Sequence, residues 1–143
     1  MLSFAELSPQ GRRVDVETDL QEDLPDVLFD RVQLQQVILN LVNNAVEANH
    51  LTGAGRIQIK SSSKDSTVHL HVVDNGIGID EATEVHLFEP FFSSKRHGTG
   101  MGLAISRSIV EAQAGTIGFR RNPDHGVTFY VQLPALRSKE EER

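Results

Sequence analysis

The sequence predicts an α/β (α+β) two-layer sandwich, in which a mixed β-sheet packs against about three α-helices. Three observations predict it. Residues 13–17, 56–60 and 67–72 alternate apolar and polar side chains with a period of two. Two longer segments, beginning near Asp30 and near Gly102, repeat apolar residues at helical spacing. The strand-like runs also lie on both sides of these helical segments, so one sheet can offer its inner face to the helices.

In chain order, residues 1–10 mix Leu2, Phe4 and Leu7 with polar residues before Pro9, and read as a helix tail or a linker. A strand with one wet face follows over 13–17, and then a short apolar segment, Val27-Leu28-Phe29. Asp30 is a good helix N-cap, and Gln33 stands where a capping box needs it. Val37, Ile38, Leu41, Val42 and Ala45 then mark the longest helix, which the glycines between His50 and Gly55 end. Strands at 56–60 and 67–72 are joined by a turn over 61–66. Asp80, Glu81 and Glu84 suit the start of a short helix, because carboxylates favour that end. Residues 88–100, with Pro90 and two glycines, read as a loop. A helix from about 102 to 113 closes at Gly115 in the C′ position. Residues 116–119 and 127–133 form a last antiparallel pair around the turn from Asn122 to Gly126. Beyond Pro134 the Lys/Glu/Arg-rich tail, 135–143, is expected to be disordered.

Composition removes several function classes. The chain has 143 residues, enough for one domain with a real core. Hydrophobic residues make up 38%, which favours a packed fold over disorder. The net charge is −6 and no basic run is present, which disfavours nucleic-acid binding because phosphate neutralisation needs a basic face. Cysteine is absent, so neither disulfides nor thiolate metal sites are available. No apolar run approaches the roughly 20 residues that span a bilayer, and the start lacks the pattern of a signal peptide. A cytoplasmic domain is expected, from a parent that is itself soluble or membrane-bound.

Three segments carry chemistry. Asn40 and Asn44 are four residues apart on one helix face, and Glu47 joins them. Amide oxygens beside an apolar stripe suit Mg²⁺, a hard cation that shares its shell with water and phosphates. Asp74-Asn75-Gly76-Ile77-Gly78 follows an apolar strand. A carboxylate there accepts a hydrogen bond from an exocyclic amine, which adenine has and guanine replaces with a carbonyl. Gly98-Thr99-Gly100-Met101-Gly102-Leu103 precedes a helix, where backbone N–H groups and the helix N-terminus suit phosphate oxygens. It is not a P-loop, since Leu103-Ala104 follows Gly102, and it lacks the third glycine of the dinucleotide fingerprint. Each segment alone also has an ordinary reading: a solvated polar face, an Asp-Asn-Gly turn and a flexible hinge. Between the last two, Phe88, Phe91 and Phe92 precede Lys95 and suit the anchor of a lid. His69 and His71 share a strand face and read as solvent-facing residues rather than metal ligands.

In these boxes the sequence resembles the catalytic ATP-binding domain of two-component sensor histidine kinases, in the GHKL ATPase superfamily. Residues 36–45 resemble its N box, 74–78 its G1 box, 88–92 its F box and 98–103 its G2 box. The details are most similar to kinases of the FixL kind. The resemblance implies the GHKL fold over 12–134, with 1–11 a linker or a remnant of an upstream dimerisation and phosphotransfer hairpin. It implies ATP and Mg²⁺ as cofactors. Asn44 is then the metal ligand, with Asn40 beside the metal and phosphates. Asp74 holds the adenine amine, Gly76 and Gly78 shape the pocket, and Ile79 lines it. Gly98, Gly100 and Gly102 cradle phosphates, with Thr99, Met101 and Leu103 in the same loop. Lys95 contacts a phosphate from a lid over about 81–99. Relatives often carry Lys where Glu47 stands, so a cationic phosphate contact is lost there.

Water-hydrolysing members of the superfamily place a glutamate base where Asn40 stands, and an amide has no useful basicity. The resemblance therefore implies transfer of the γ-phosphoryl to a histidine rather than to water. None of the six histidines has the acidic residue and proline that follow the family's phosphoacceptor. The implied partners are thus a dimerisation/phosphotransfer domain absent from this chain and, through it, a response regulator. The isolated domain is expected to be monomeric. A GHKL serine/threonine kinase such as an anti-sigma factor, or a non-catalytic nucleotide sensor, stays open at this point.

Overall fold

The computed structural model describes residues 2–7, 13–48, 55–76, 85, 86, 88, 89, 102–123 and 125–136. Among them are six strands and two helices. They run β1 (Leu2–Leu7), β2 (Arg13–Leu20), α1 (Arg31–Ala48), β3 (Gly55–Lys64), β4 (Thr67–Asp74), α2 (Gly102–Ala112), β5 (Thr116–Arg121) and β6 (Val127–Pro134). The strands form one mixed sheet in the order β1-β2-β3-β4-β6-β5. Only β2 and β3 are parallel, and α1 is the crossover between them. The other neighbours are antiparallel.

Helix α1 starts as its sequence dictates: the Asp30 carboxylate accepts the Gln33 N–H at 3.0 Å. Its stripe Val37, Leu41 and Ala45 is fully buried and faces Val16, Ile57 and Val72 of the sheet, with Val110 of α2 beside it. From β6, Phe129, Val131 and Leu133 complete the core. On β4 the residues of opposite parity form the outer face. There the His69 and His71 rings stack with centroids 6.2 Å apart, and burial, aided by the Arg120, His69 and Lys60 charges, lowers the pKa of His71.

Four local expectations change. Residues 2–7 are a strand, not a helix tail or linker, with Phe4 opposite Val16 in register. Leu2 and Phe4 already had the period of two, and β1 covers the N–H and C=O groups that β2 would otherwise leave exposed. The turn expected over 61–66 shrinks to Asp65 and Ser66, both in the left-handed region. The serines before it continue β3 because they have partners: Gln21 receives the Ser63 N–H at 2.9 Å and donates to Ser63 Oγ at 2.8 Å. At the end of α2 the left-handed residue is Ala114 (φ 60°), one position before the expected glycine. Ala114 N–H bonds Glu111 O and Gly115 N–H bonds Val110 O, a Schellman closure with Gly115 at C″. Glycine is needed at 115 for space, since a Cβ would lie 2.7 Å from Gln132 O. Finally, Ala135 and Leu136 are held by hydrogen bonds to Ser66 O and Asp26 O, so the chain is still ordered past Pro134. The short helix expected from Asp80 and the tail over 137–143 lie outside the described residues.

Candidate functional site

The parity that buries Val72 also turns Asp74, the last residue of β4, toward the helix layer. Its side chain is 3% exposed. Oδ1 accepts the Gly76 N–H at 2.9 Å and the Val127 N–H at 3.3 Å. Burial pushes the carboxyl above its ordinary pKa, and the two backbone donors pull against that. Among the described residues Oδ2 accepts no hydrogen bond. The site thus holds a buried carboxylate oriented through one oxygen, whose other oxygen accepts no hydrogen bond from the described residues.

Two neighbours of Asp74 come from the far end of the chain. Gly126 has φ +82°, and a Cβ there would stand 2.1 Å from Asp74 O and 2.7 Å from Oδ1. Asn122 donates from Nδ2 to Asp74 O at 2.8 Å and to His125 O at 3.1 Å. Its Oδ1 accepts the hydroxyl of Thr128, which is 2% exposed. The sequence predicts a plain turn over this segment, and the contact with Asp74 is not among its expectations. The available signal was a single Gly126 after a polar run. Asn75, inside the same box as Asp74, is structural: its Oδ1 accepts the Arg56 N–H at 2.9 Å and locks the ends of β3 and β4 together.

The second cluster joins the two helices. Asn40, on α1, donates from Nδ2 to Gly102 O at 3.2 Å and to Ser106 Oγ at 3.1 Å. The Gly102 carbonyl can only accept, so the amide orientation is fixed: nitrogen toward α2. Among the described residues no atom comes closer than 3.8 Å to a Cβ placed on Gly102. Asn44 lies one turn further along α1 and is half-buried. Leu103 packs against the core from the first turn of α2. Helix α1 touches both β4 and α2, so the helix bearing the two asparagines adjoins the strand bearing Asp74 and the helix begun by Gly102. Phe88 is seated on the core, with Phe119 6.5 Å away and the Arg107 guanidinium 5.7 Å from its ring centroid.

Gly78, Ile79, Lys95, Gly98, Thr99, Gly100 and Met101 lie outside the described residues, as does the Glu47 side chain. Among the described residues no three His, Cys, Asp or Glu side chains gather as a metal site, and no helix is long and apolar enough to cross a membrane.

Comparison with known proteins agrees with this geometry. The signal transduction histidine-protein kinase AtoS of Escherichia coli (strain K12) is 42% identical over 122 residues, 85% of this chain and 20% of that protein. This chain therefore spans about a fifth of that relative's length. The nucleotide-free catalytic domain of histidine kinase ThkA superposes with a TM-score of 0.76 at 33% identity, covering 85% of this chain and 79% of that one. Full-length ShkA, solved with AMPPNP, gives a TM-score of 0.73 at 28% identity over 86% of this chain and 26% of that one. Residues 29–137 match the family described as histidine kinase-, DNA gyrase B-, and HSP90-like ATPase, and the chain belongs to that family.

Proposed function

We propose that this domain binds Mg-ATP between Asp74 and the α1/α2 pair and passes the γ-phosphoryl to a histidine carried outside this chain, as the catalytic part of a sensor histidine kinase. The observation that carries the proposal is the buried Asp74 carboxylate, with one oxygen tied and the other without a hydrogen bond among the described residues. A group held that way discriminates by hydrogen bonding: the adenine amine donates to it, whereas a guanine carbonyl would meet it as a second acceptor. Asn44 and the Asn40 Oδ1 provide the oxygens for Mg²⁺, which neutralises phosphate charge when bound. The Gly102 end of α2 offers N–H groups to the phosphates, in continuity with 98–101.

Little covalent chemistry falls to the protein in phosphoryl transfer, which depends on position and charge. Asn40 cannot take a proton from water, so its position supplies no base for hydrolysis. A neutral imidazole needs none. The partners proposed are a dimerisation/phosphotransfer domain bearing that histidine and a response regulator served through it. The named relatives, a signal transduction histidine-protein kinase and the histidine kinase ThkA, favour this reading over a serine kinase.

The test is a calorimetric titration with ATP and with GTP, each with and without Mg²⁺. Tight binding of Mg-ATP alone is expected; equal affinity for GTP would remove Asp74 as the base reader. Labelled ATP and an added phosphoacceptor hairpin should then give an acid-labile phosphoprotein. An acid-stable product would identify a serine or threonine kinase instead.

A further inference from the structure

Ser106 is fully buried in α2, with its hydroxyl 3.1 Å from the Asn40 amide nitrogen. That nitrogen has two hydrogens, and both are committed, one to Ser106 Oγ and one to Gly102 O. Asn40 is thereby left with only its carbonyl oxygen to offer a ligand. The orientation matters chemically. An amide oxygen attracts Mg²⁺ or a metal-bound water, while an NH₂ group aimed at the same place repels the one and cannot accept from the other. A half-buried asparagine with a single partner can swing or flip. With two acceptors on a neighbouring helix, its rotamer is fixed.

We propose that Ser106 is a positioning residue for the metal end of the nucleotide site: by holding the Asn40 amide it aims Asn40 Oδ1 and ties α1 to the first turn of α2. The inference rests on the Mg-ATP site proposed above. Ser106 touches neither nucleotide nor metal. It acts through Asn40, and its effect depends on the metal rather than on the base.

The variants are Ser106→Ala, which leaves Asn40 with one acceptor, and Ser106→Cys, which keeps the shape with a somewhat larger atom that accepts hydrogen bonds weakly. Two measurements on the purified domain separate positioning from structure. The first is NMR of the Asn40 side-chain amide without nucleotide. In both variants its signals should move and exchange faster. The second is affinity for Mg-ATP against affinity for ADP in EDTA. Mg-ATP binding should weaken by about three- to ten-fold, the range of one lost hydrogen bond, while Mg-free ADP binding changes by less than about two-fold. Unmoved Asn40 signals, or equal weakening of both nucleotides, would overturn the proposal. Absence of Mg-ATP binding by the wild-type protein would overturn the proposed function, and this inference with it. Wild-type binding without a magnesium-dependent loss in the variants overturns the inference alone.

Discussion

Gly126 lies against Asp74 and Gly102 against Asn40, and the protein needs the two glycines for different reasons. At Gly126 the backbone is left-handed and the missing side chain would fall 2.1 Å from the Asp74 carbonyl oxygen. The fold alone forbids any other residue there. At Gly102, among the described residues, the nearest atom to an added Cβ is Asn40 Cγ, at an ordinary 3.8 Å. Among the described residues, neither conformation nor packing calls for glycine at 102. The difference teaches where to look for a ligand: a glycine the fold does not require is one that something outside the chain can require. Close approach of phosphate oxygens to the backbone is such a requirement.

The largest effect is therefore expected at Gly126. Gly126→Ala combines an unfavourable φ with overlap onto backbone that cannot give way, for a cost of about 3 kcal/mol or more. Chemical denaturation should show it directly. A variant as stable as the parent would mean that the β5–β6 turn is not fixed against Asp74, and the contrast between the two glycines would fail.

Asp74→Asn comes next, and its signs oppose each other. The amide can keep both backbone hydrogen bonds through Oδ1 while removing a buried charge. Because the folded pKa of Asp74 is raised, the folded state binds more protons than the unfolded chain between the ordinary carboxylate value and the raised one. Stability contributed by the protonated form is complete below the ordinary value and is lost as pH rises through the raised one. Asp74→Asn should remove that loss, so its melting temperature at neutral pH should rise and its pH profile flatten. Adenine affinity should fall about ten-fold or more, because an NH₂ now faces the exocyclic amine. Parallel melting and titration experiments read both. A variant that lost stability and kept affinity would contradict both halves.

How much of this was legible beforehand follows from the range of each interaction. The Asp30 cap, the Val37/Leu41/Ala45 stripe and the pairing of β5 with β6 are set by residues within a few turns or one hairpin, and they stand as read. Asp74 at a strand end was also readable, because the apolar run before it fixes its place. The groups that hold Asp74 were not: Asn122 is 48 residues away in sequence and Val127 is 53. The same is true of Asn40 and Ser106, 66 residues apart. Periodicity shows which face Asn40 occupies, but not that its amide would be consumed by another helix. The serines of β3 misled for a related reason. Their strand is supported by Gln21, and turn-forming composition yields to that pairing.

Gly102→Ala sharpens the comparison from its other side. Stability should stay within about 0.5 kcal/mol of the parent, since alanine is the better helix former and has room. Mg-ATP affinity should nevertheless drop several-fold, as the methyl group stands between backbone and phosphate. If denaturation showed a large loss of stability, Gly102 would be a structural glycine like Gly126, and its value as a ligand marker would vanish.

The smallest effect is expected at the other end of α2, where the same reasoning separates two adjacent residues. Ala114 holds the left-handed position while Gly115, next to it, is small because Gln132 O, Leu133 and Val110 crowd it. Conformation and space are thus demanded at different positions, and the sequence meets only the second with glycine. Ala114→Gly should relieve the left-handed strain, partly offset by glycine's greater freedom in the unfolded chain, for a net gain of about 0.5 kcal/mol. Gly115→Ala should cost more than Ala114→Gly gains, because its neighbours include a backbone carbonyl. Reversed signs in equilibrium denaturation would show that φ rather than crowding governs this helix end.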